Sequence, residues 1–257
     1  MKAVFALLLA CCIVMSTTTV FAAEQPAGAV SIAKENTYRN AQIEMTSLKP
    51  KSSTTSLLET TDVPIHNLAL LQQLNESSWN RSKLSFGFKG SIYLGSWPLS
   101  YTSTSSEIDW KQEKINMNML DNRGGASARS ISHTQQQQKQ AKALLTEGLK
   151  QKEMVMQLLL RDTQQRTKVP LGTQAVVGFG TEAASSFSVA PGQIGYLYAY
   201  LPTVAETGTI TYGEVYISIE HGEATLDIQD VTEVAVQAQL PIQNMLFLEL
   251  QQSKQPR

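Results

Sequence analysis

The sequence predicts an α+β fold: antiparallel β-sheet with one long or two shorter central helices, preceded by a signal peptide and an extended N-terminal arm. Three observations predict it. The last third of the chain alternates apolar and polar residues in strand-length runs joined by short connections. A block with helical spacing separates that region from an earlier strand-rich one. The first 22 residues have the order of a secretory leader.

Lys2 supplies the leader's positive end, and Ala3 to Met15 form an apolar run of 13 residues. A spanning helix needs about 20, so the run suits a secretory segment. After the polar Ser16 to Thr19, Val20 and Ala22 occupy positions −3 and −1 of a cut before Ala23. Processing is expected between Ala22 and Ala23. In an alternative reading, Leu8-Leu9-Ala10-Cys11 resembles a lipobox and anchors a lipoprotein through Cys11, with only ten residues ahead of the cysteine. Cys11 and Cys12 are the only cysteines. The processed chain is then disulfide-free and relies on core packing, which a chain of this length can supply.

Loss of Lys2, the one charged residue before Glu24, takes the net charge from −1 to −2. Such a balance offers no field for nucleic acid. No second apolar run reaches spanning length, so no membrane span is expected after cleavage.

Residues 23–62 are poor in apolar and rich in Ser, Thr, Lys and Pro residues, which predicts an extended or loosely ordered arm. A single α+β domain is expected over 63–257. Leu68, Leu71 and Leu74, with Leu70 beside them, have helical spacing. Leu84 to Leu94 reads as strand; a Ser/Thr turn at Thr102 to Ser106 leads to a second one, Glu107 to Leu120, whose Ile115, Met117 and Met119 keep period two. Asp121-Asn122-Arg123-Gly124-Gly125 is a turn by residue chemistry. Ser132 with Gln135 three residues on is a capping box, predicting helix from there to about Thr167, with Gly148 as the point that divides it if there are two. Tyr196, Tyr198 and Tyr200 share one face of the strand Ile194 to Leu201 and apolar residues fill the other, which predicts a strand covered on both sides. A loop, Pro202 to Gly208, then precedes the strand Thr209 to Glu220, with a bulge at Gly213. His221-Gly222 turns a hairpin, and further strands follow at Ala224 to Ile228, Val234 to Leu240 and Met245 to Leu250.

The chemistry-bearing residues are few. His66, His133 and His221 have no partners at a recognised metal-ligand spacing, and neither metal nor cofactor is expected. The most site-like segment combines Asp121, a possible base, Arg123, a bidentate anion donor, and two glycines, with His133 eight residues beyond Gly125. The competing account is a turn in which Arg123 pairs with Asp121. Tyr196, Tyr198 and Tyr200 are candidate binding residues, a stacking platform for sugars or peptides, against the alternative of rings packed on a helix.

Ile92-Tyr93-Leu94-Gly95 with Trp97-Pro98-Leu99, and Lys114-Ile115-Asn116 running into Asp121 to Gly125, resemble the YfkD-like family. So do Gly195 to Tyr200 and Thr211-Tyr212-Gly213-Glu214-Val215-Tyr216, and the resemblance extends from the Ser31 region to Arg257. It implies an exported protein of a spore-forming Gram-positive bacterium and carries over no catalytic or ligand residues. The sequence expectation is a secreted or cell-envelope-associated, non-catalytic protein that acts by binding or structural contact, its partner an envelope component. The alternative is a secreted hydrolase built on Asp121, Arg123 and His133.

Overall fold

A computed structural model describes residues 25–32, 48–77, 89–221 and 223–257. The signal segment 1–22 lies outside the described residues, as do 33–47 and 78–88. The elements, in chain order, are β1 (Ala29–Ser31), α1 (Ser52–Leu58), α2 (Leu68–Glu76), β2 (Gly90–Asp121), β3 (Arg129–Thr134), β4 (Lys139–Lys142), β5 (Leu144–Leu145), α3 (Lys152–Thr167), β6 (Gln174–Val177), β7 (Glu182–Val189), β8 (Ile194–Glu220), β9 (Glu223–Pro241) and β10 (Met245–Ser253). The class is α+β, with antiparallel sheet dominant.

Strand β8, 27 residues long, organises the molecule. β2 runs antiparallel along all of it, from Gly90 opposite Ile219 to Asp121 opposite Ile194. On its other edge β8 pairs first with β10, over Ile194 to Tyr200, then with β9, over Thr203 to Glu220. β1 extends the sheet beyond β10, and β5 extends it beyond β9. Two small ribbons, β3–β7 and β4–β6, complete the strands among the described residues, and the first half of the strand expected over Leu84 to Leu94 lies outside them.

A straight 27-residue strand would run about 90 Å, roughly twice the width of a compact domain of this size. The β2–β8 ladder is instead broken by register shifts at five places, among them Pro98/Ser100 and Asp109/Glu113. Each bulge bends the strand and tightens its twist. Pro202, which has no N–H to give, sits inside the widest of these irregularities, where β8 changes partner from β10 to β9.

The two faces of β8 are covered in turn. Leu197, Ala199 and Leu201 pack on one face against Ile131, Val189 and Val177 from the small ribbons. Val204, Ile210 and Tyr212, on the opposite face, pack under Val155, Leu158 and Leu159 of α3. Val215, Ile217 and Ile219 return to the first face, where Leu57 of α1 and Leu70 and Leu74 of α2 cover them.

Several expectations change. The segment opened by Ser132 is strand, not helix: Ile131, His133 and Gln135 are buried while Ser130, Ser132 and Thr134 are exposed, which is period two. Its inward set is largely polar, so no apolar pattern marked it. One central helix remains, α3, entered through Gly148 and Gln151 at φ +79° and +50°. Thr102 to Ser106 and Pro202 to Gly208 are continuous strand rather than turn and loop. Ala224 to Ile228 and Val234 to Leu240 are one strand, β9.

The bulge expected in β8 at Gly213 lies opposite it: between Gln229 and Thr232 β9 takes the extra residue, with Asp230 at φ +49°. β8 keeps its phase, and Tyr212 and Val215 therefore enter different cores. Gly213 itself is required by close packing, because a Cβ there would lie 2.7 Å from Ile228 and 2.9 Å from Leu99. Within 23–62, β1 pairs with β10 and Leu57 is buried, so the described parts of the expected arm are docked on the domain.

One polar contact fixes α3. The Glu206 carboxylate, wholly buried, accepts hydrogen bonds from Tyr101 (2.5 Å), Ser103 (2.6 Å) and Ser106 (2.5 Å) and pairs with Arg166 of α3 at 2.6 Å. Burial, and then the bond to Glu206, push the Tyr101 phenol far above its ordinary value, so it stays a donor. Arg166→Ala should cost about 2–3 kcal/mol, because it strands a buried charge whose three hydroxyl donors and half-solvated partner soften the loss. Chemical denaturation measures this; adding Glu206→Gln should recover part of the loss, and strictly additive effects would refute the clasp.

Candidate binding face

Where α3 stops covering β8, its even-numbered face carries the tyrosine row. Pairing with β2 and β10 places Met119, Tyr196 and Gln251 side by side, then Met117, Tyr198 and Glu249, then Lys114, Tyr200 and Phe247. Successive rows are about 7 Å apart along the strands. None of the three apolar cores includes these tyrosines, Phe247 or either methionine. Met117 and Met119 are 40% and 61% exposed, Tyr198, Tyr200 and Phe247 are half-buried, and Tyr196 is buried. The expectation that both faces of this strand are covered is thus corrected: among the described residues no helix packs on the tyrosine side.

Cations lie against the rings. The Lys114 ammonium is 5.2 Å from the Tyr198 ring centre, the Arg257 guanidinium 5.9 Å from Tyr196, and the Lys111 ammonium 5.6 Å from Phe247. All are within the range in which a ring's quadrupole attracts a cation. The Arg257 backbone N–H also donates to the Tyr196 hydroxyl at 3.0 Å, drawing the chain terminus over that ring. Lys111 pairs with Glu249 at 2.5 Å and holds its carboxyl below the ordinary value, so the glutamate stays charged. Trp110 and Tyr200 each stand 6.3 Å from Phe247 in tilted contact. Tyr, Trp, Met and Arg are the residues enriched where proteins bind partners, and here they share one open face with flanking hydrogen-bond formers.

Sequence reasoning found the three tyrosines and missed Phe247, Met117, Met119, Lys111, Lys114 and Arg257. Met117 and Met119 were assigned to the face of Ile115. The register shift between Lys114 and Asn116 separates them, sending Ile115 inward and both methionines out.

The other candidates do not converge. Arg123 closes on Asp121 through its Nη2 at 2.7 Å and its backbone N–H at 3.0 Å, an exposed pair in a turn. These hydrogen bonds lower the Asp121 carboxyl to about 2, which unfits it as a base near neutrality. Asn122 does the structural work of the turn: its amide donates to Ser127 and Val189 carbonyls at 2.9 and 3.0 Å. A Cβ on Gly125 would lie 2.0 Å from the Asn122 side chain, so that position demands glycine. His133 is fully buried, with neither ring nitrogen hydrogen-bonded among the described residues, and hence shares no bond with Asp121 or Arg123. His221 stands exposed at the hairpin tip, 3.7 Å from Glu220.

Burial lowers the His133 imidazole to about 4. Above pH ~6.5 it is neutral whether the chain is folded or unfolded. Below that the unfolded chain takes a proton that the folded chain refuses until about pH 4. Stability is therefore complete above the upper value and falls across the window, by about 3 kcal/mol in all. Denaturation midpoints of the protein and of His133→Asn across that window check this; the variant should lose the contribution of one proton, and parallel pH profiles would contradict it.

Residues 26–257 match the family model described as YfkD-like protein. "Uncharacterized protein YfkD" of Bacillus subtilis (strain 168) is 37% identical over 232 residues, covering 90% of this chain and 88% of the relative. The motifs around Trp97, Asp121 to Gly125 and Tyr196 to Tyr216 lie within the matched span, and the chain belongs to the YfkD-like family.

Proposed function

We propose that this is an exported, non-catalytic protein that acts in the extracytoplasmic space by contact with a component of the cell envelope. Export rests on the leader sequence, with Ala23 as the mature N-terminus and both cysteines removed with the leader. No helix among the described residues is long and apolar enough to cross a membrane. The contact surface is the open face of Tyr196, Tyr198 and Tyr200 with Met117, Met119 and Phe247. The observation that carries the reading is this mixture of half-buried rings, exposed thioethers and cations, side by side in register with no helix packed on it among the described residues. The hydrolase reading loses support because Asp121 is committed to Arg123 and His133 is sealed inside.

Sedimentation of the mature protein with purified cell walls tests this. Tyr198 lies at the centre of the face, and truncation of a central contact residue costs about 2 kcal/mol, or roughly 30-fold in affinity. Because its ring is only half-buried, Tyr198→Ala should lower the melting temperature by only a few degrees, about 1 kcal/mol. Tyr198→Ala that binds walls as the parent does would defeat the assignment of the face; absence of wall binding by the parent would defeat the envelope contact itself.

A further inference from the structure

A concavity lies between α2 and the C-terminal half of α3. α2 carries apolar residues on two sides: Leu70 and Leu74 enter the core beneath β8, whereas Leu68 and Leu71 line a groove between α2 and α3. Leu71 is 7% exposed yet belongs to none of the three apolar cores. Leu48 and Val169 continue the apolar wall, and the cavity measures about 760 Å³. Small-ligand pockets span about 300–1,000 Å³ and combine an apolar lining with a few placed polar groups.

The polar groups here have one sign. Among the described residues Arg161 and Lys168 are the charged ones that line the groove, and Gln164 and Gln165 stand between them on α3. Arg161 donates one guanidinium hydrogen bond to the His66 carbonyl at 2.9 Å, which fixes its planar fork at the groove. The acid nearest in sequence, Asp162, is paired with Arg166 at 2.8 Å. Lys168, at φ +60°, is the residue that ends α3. An apolar trough whose described lining holds two cations and no carboxylate is complementary to a chain that is apolar along its length and anionic at one end.

We propose that this groove binds a single-chain anionic amphiphile, its acyl chain along Leu48, Leu68, Leu71 and Val169 and its headgroup between Arg161 and Lys168. The site is separate from the tyrosine face, and its occupancy does not depend on the envelope contact proposed above.

The test is displacement of a dansylated undecanoate from the mature protein, followed by fluorescence. Laurate should displace it in the micromolar range, and methyl laurate, which lacks the charge, should compete about tenfold more weakly, as loss of a charge-assisted hydrogen bond predicts. Lys168→Glu should weaken laurate binding by about tenfold or more, and Lys168→Arg should restore it to within about twofold. Lys168 is exposed and makes no side-chain hydrogen bond among the described residues, so Lys168→Arg should melt with the parent and Lys168→Glu, which opposes the α3 dipole, within a few degrees of it. Absence of saturable probe binding would overturn the proposal, and so would equal competition by laurate and its ester. Unchanged laurate affinity in Lys168→Glu would overturn the placement of the headgroup.

Discussion

The molecule depends on one constraint: a single strand of 27 residues, whose apolar side changes face along its length, must find cover for each stretch within a domain narrower than the strand is long. It meets this by bending along β2 and by changing its covering element twice. Ribbons cover Leu197 to Leu201, α3 covers Val204 to Tyr212 on the other side, and α1 with α2 cover Val215 to Ile219. Each core alone is small. Together they share β8, so loss of any one cover exposes apolar surface on a strand that the other two also use. One glycine follows from the same geometry: a Cβ on Gly208 would lie 2.4 Å from the Thr102 carbonyl, on the β2 strand beside it.

The cover supplied by α3 has a definite end. Glu206 sits on the face that α3 covers, and Arg166, in the last turn of the helix, reaches it from above. The carboxylate is satisfied by hydroxyls from β2 as well as by the guanidinium, so a buried charge becomes a four-donor junction of helix and both long strands. Burial of such a group brings little net stability, but its geometry admits one docking position. The three rows centred on Tyr196, Tyr198 and Tyr200 lie beyond that position. An open face is thereby left by the fold itself, with its rings held by neighbouring strands rather than by a loop, an arrangement that suits recognition by preorganised side chains.

Much of this was legible in the sequence. The strand Ile194 to Leu201, the hairpin at His221 and the turn Asp121 to Gly125 each follow from local chemistry, and the structure keeps all three. The illegible parts share a physical cause: polar residues used in the interior. Ser103 and Ser106 read as turn residues, yet they are donors to a buried carboxylate. His133 and Gln135 hid the strand alternation that Ile131 begins, and Ser132 with Gln135 imitated a helix start. Pro202 read as a strand breaker because the bulge that accommodates it depends on β2, roughly ninety residues earlier. The tyrosines were visible as a row, but their neighbours on the face come from β2, β10 and the terminal Arg257. Such cross-strand assembly has no local signature.

The proposed envelope contact requires that face to be open in the free protein and closed in the complex. Methionine oxidation reports both states at once, since Met117 and Met119 stand on the face while Met245 is 5% exposed in the α3 core. Under brief peroxide treatment read by peptide mass spectrometry, Met117 and Met119 of the mature protein should oxidise well ahead of Met245, and saturating cell-wall material should slow both without changing Met245. Equal rates for all three methionines in the free protein, or undiminished oxidation of Met117 and Met119 in wall-bound protein, would contradict it.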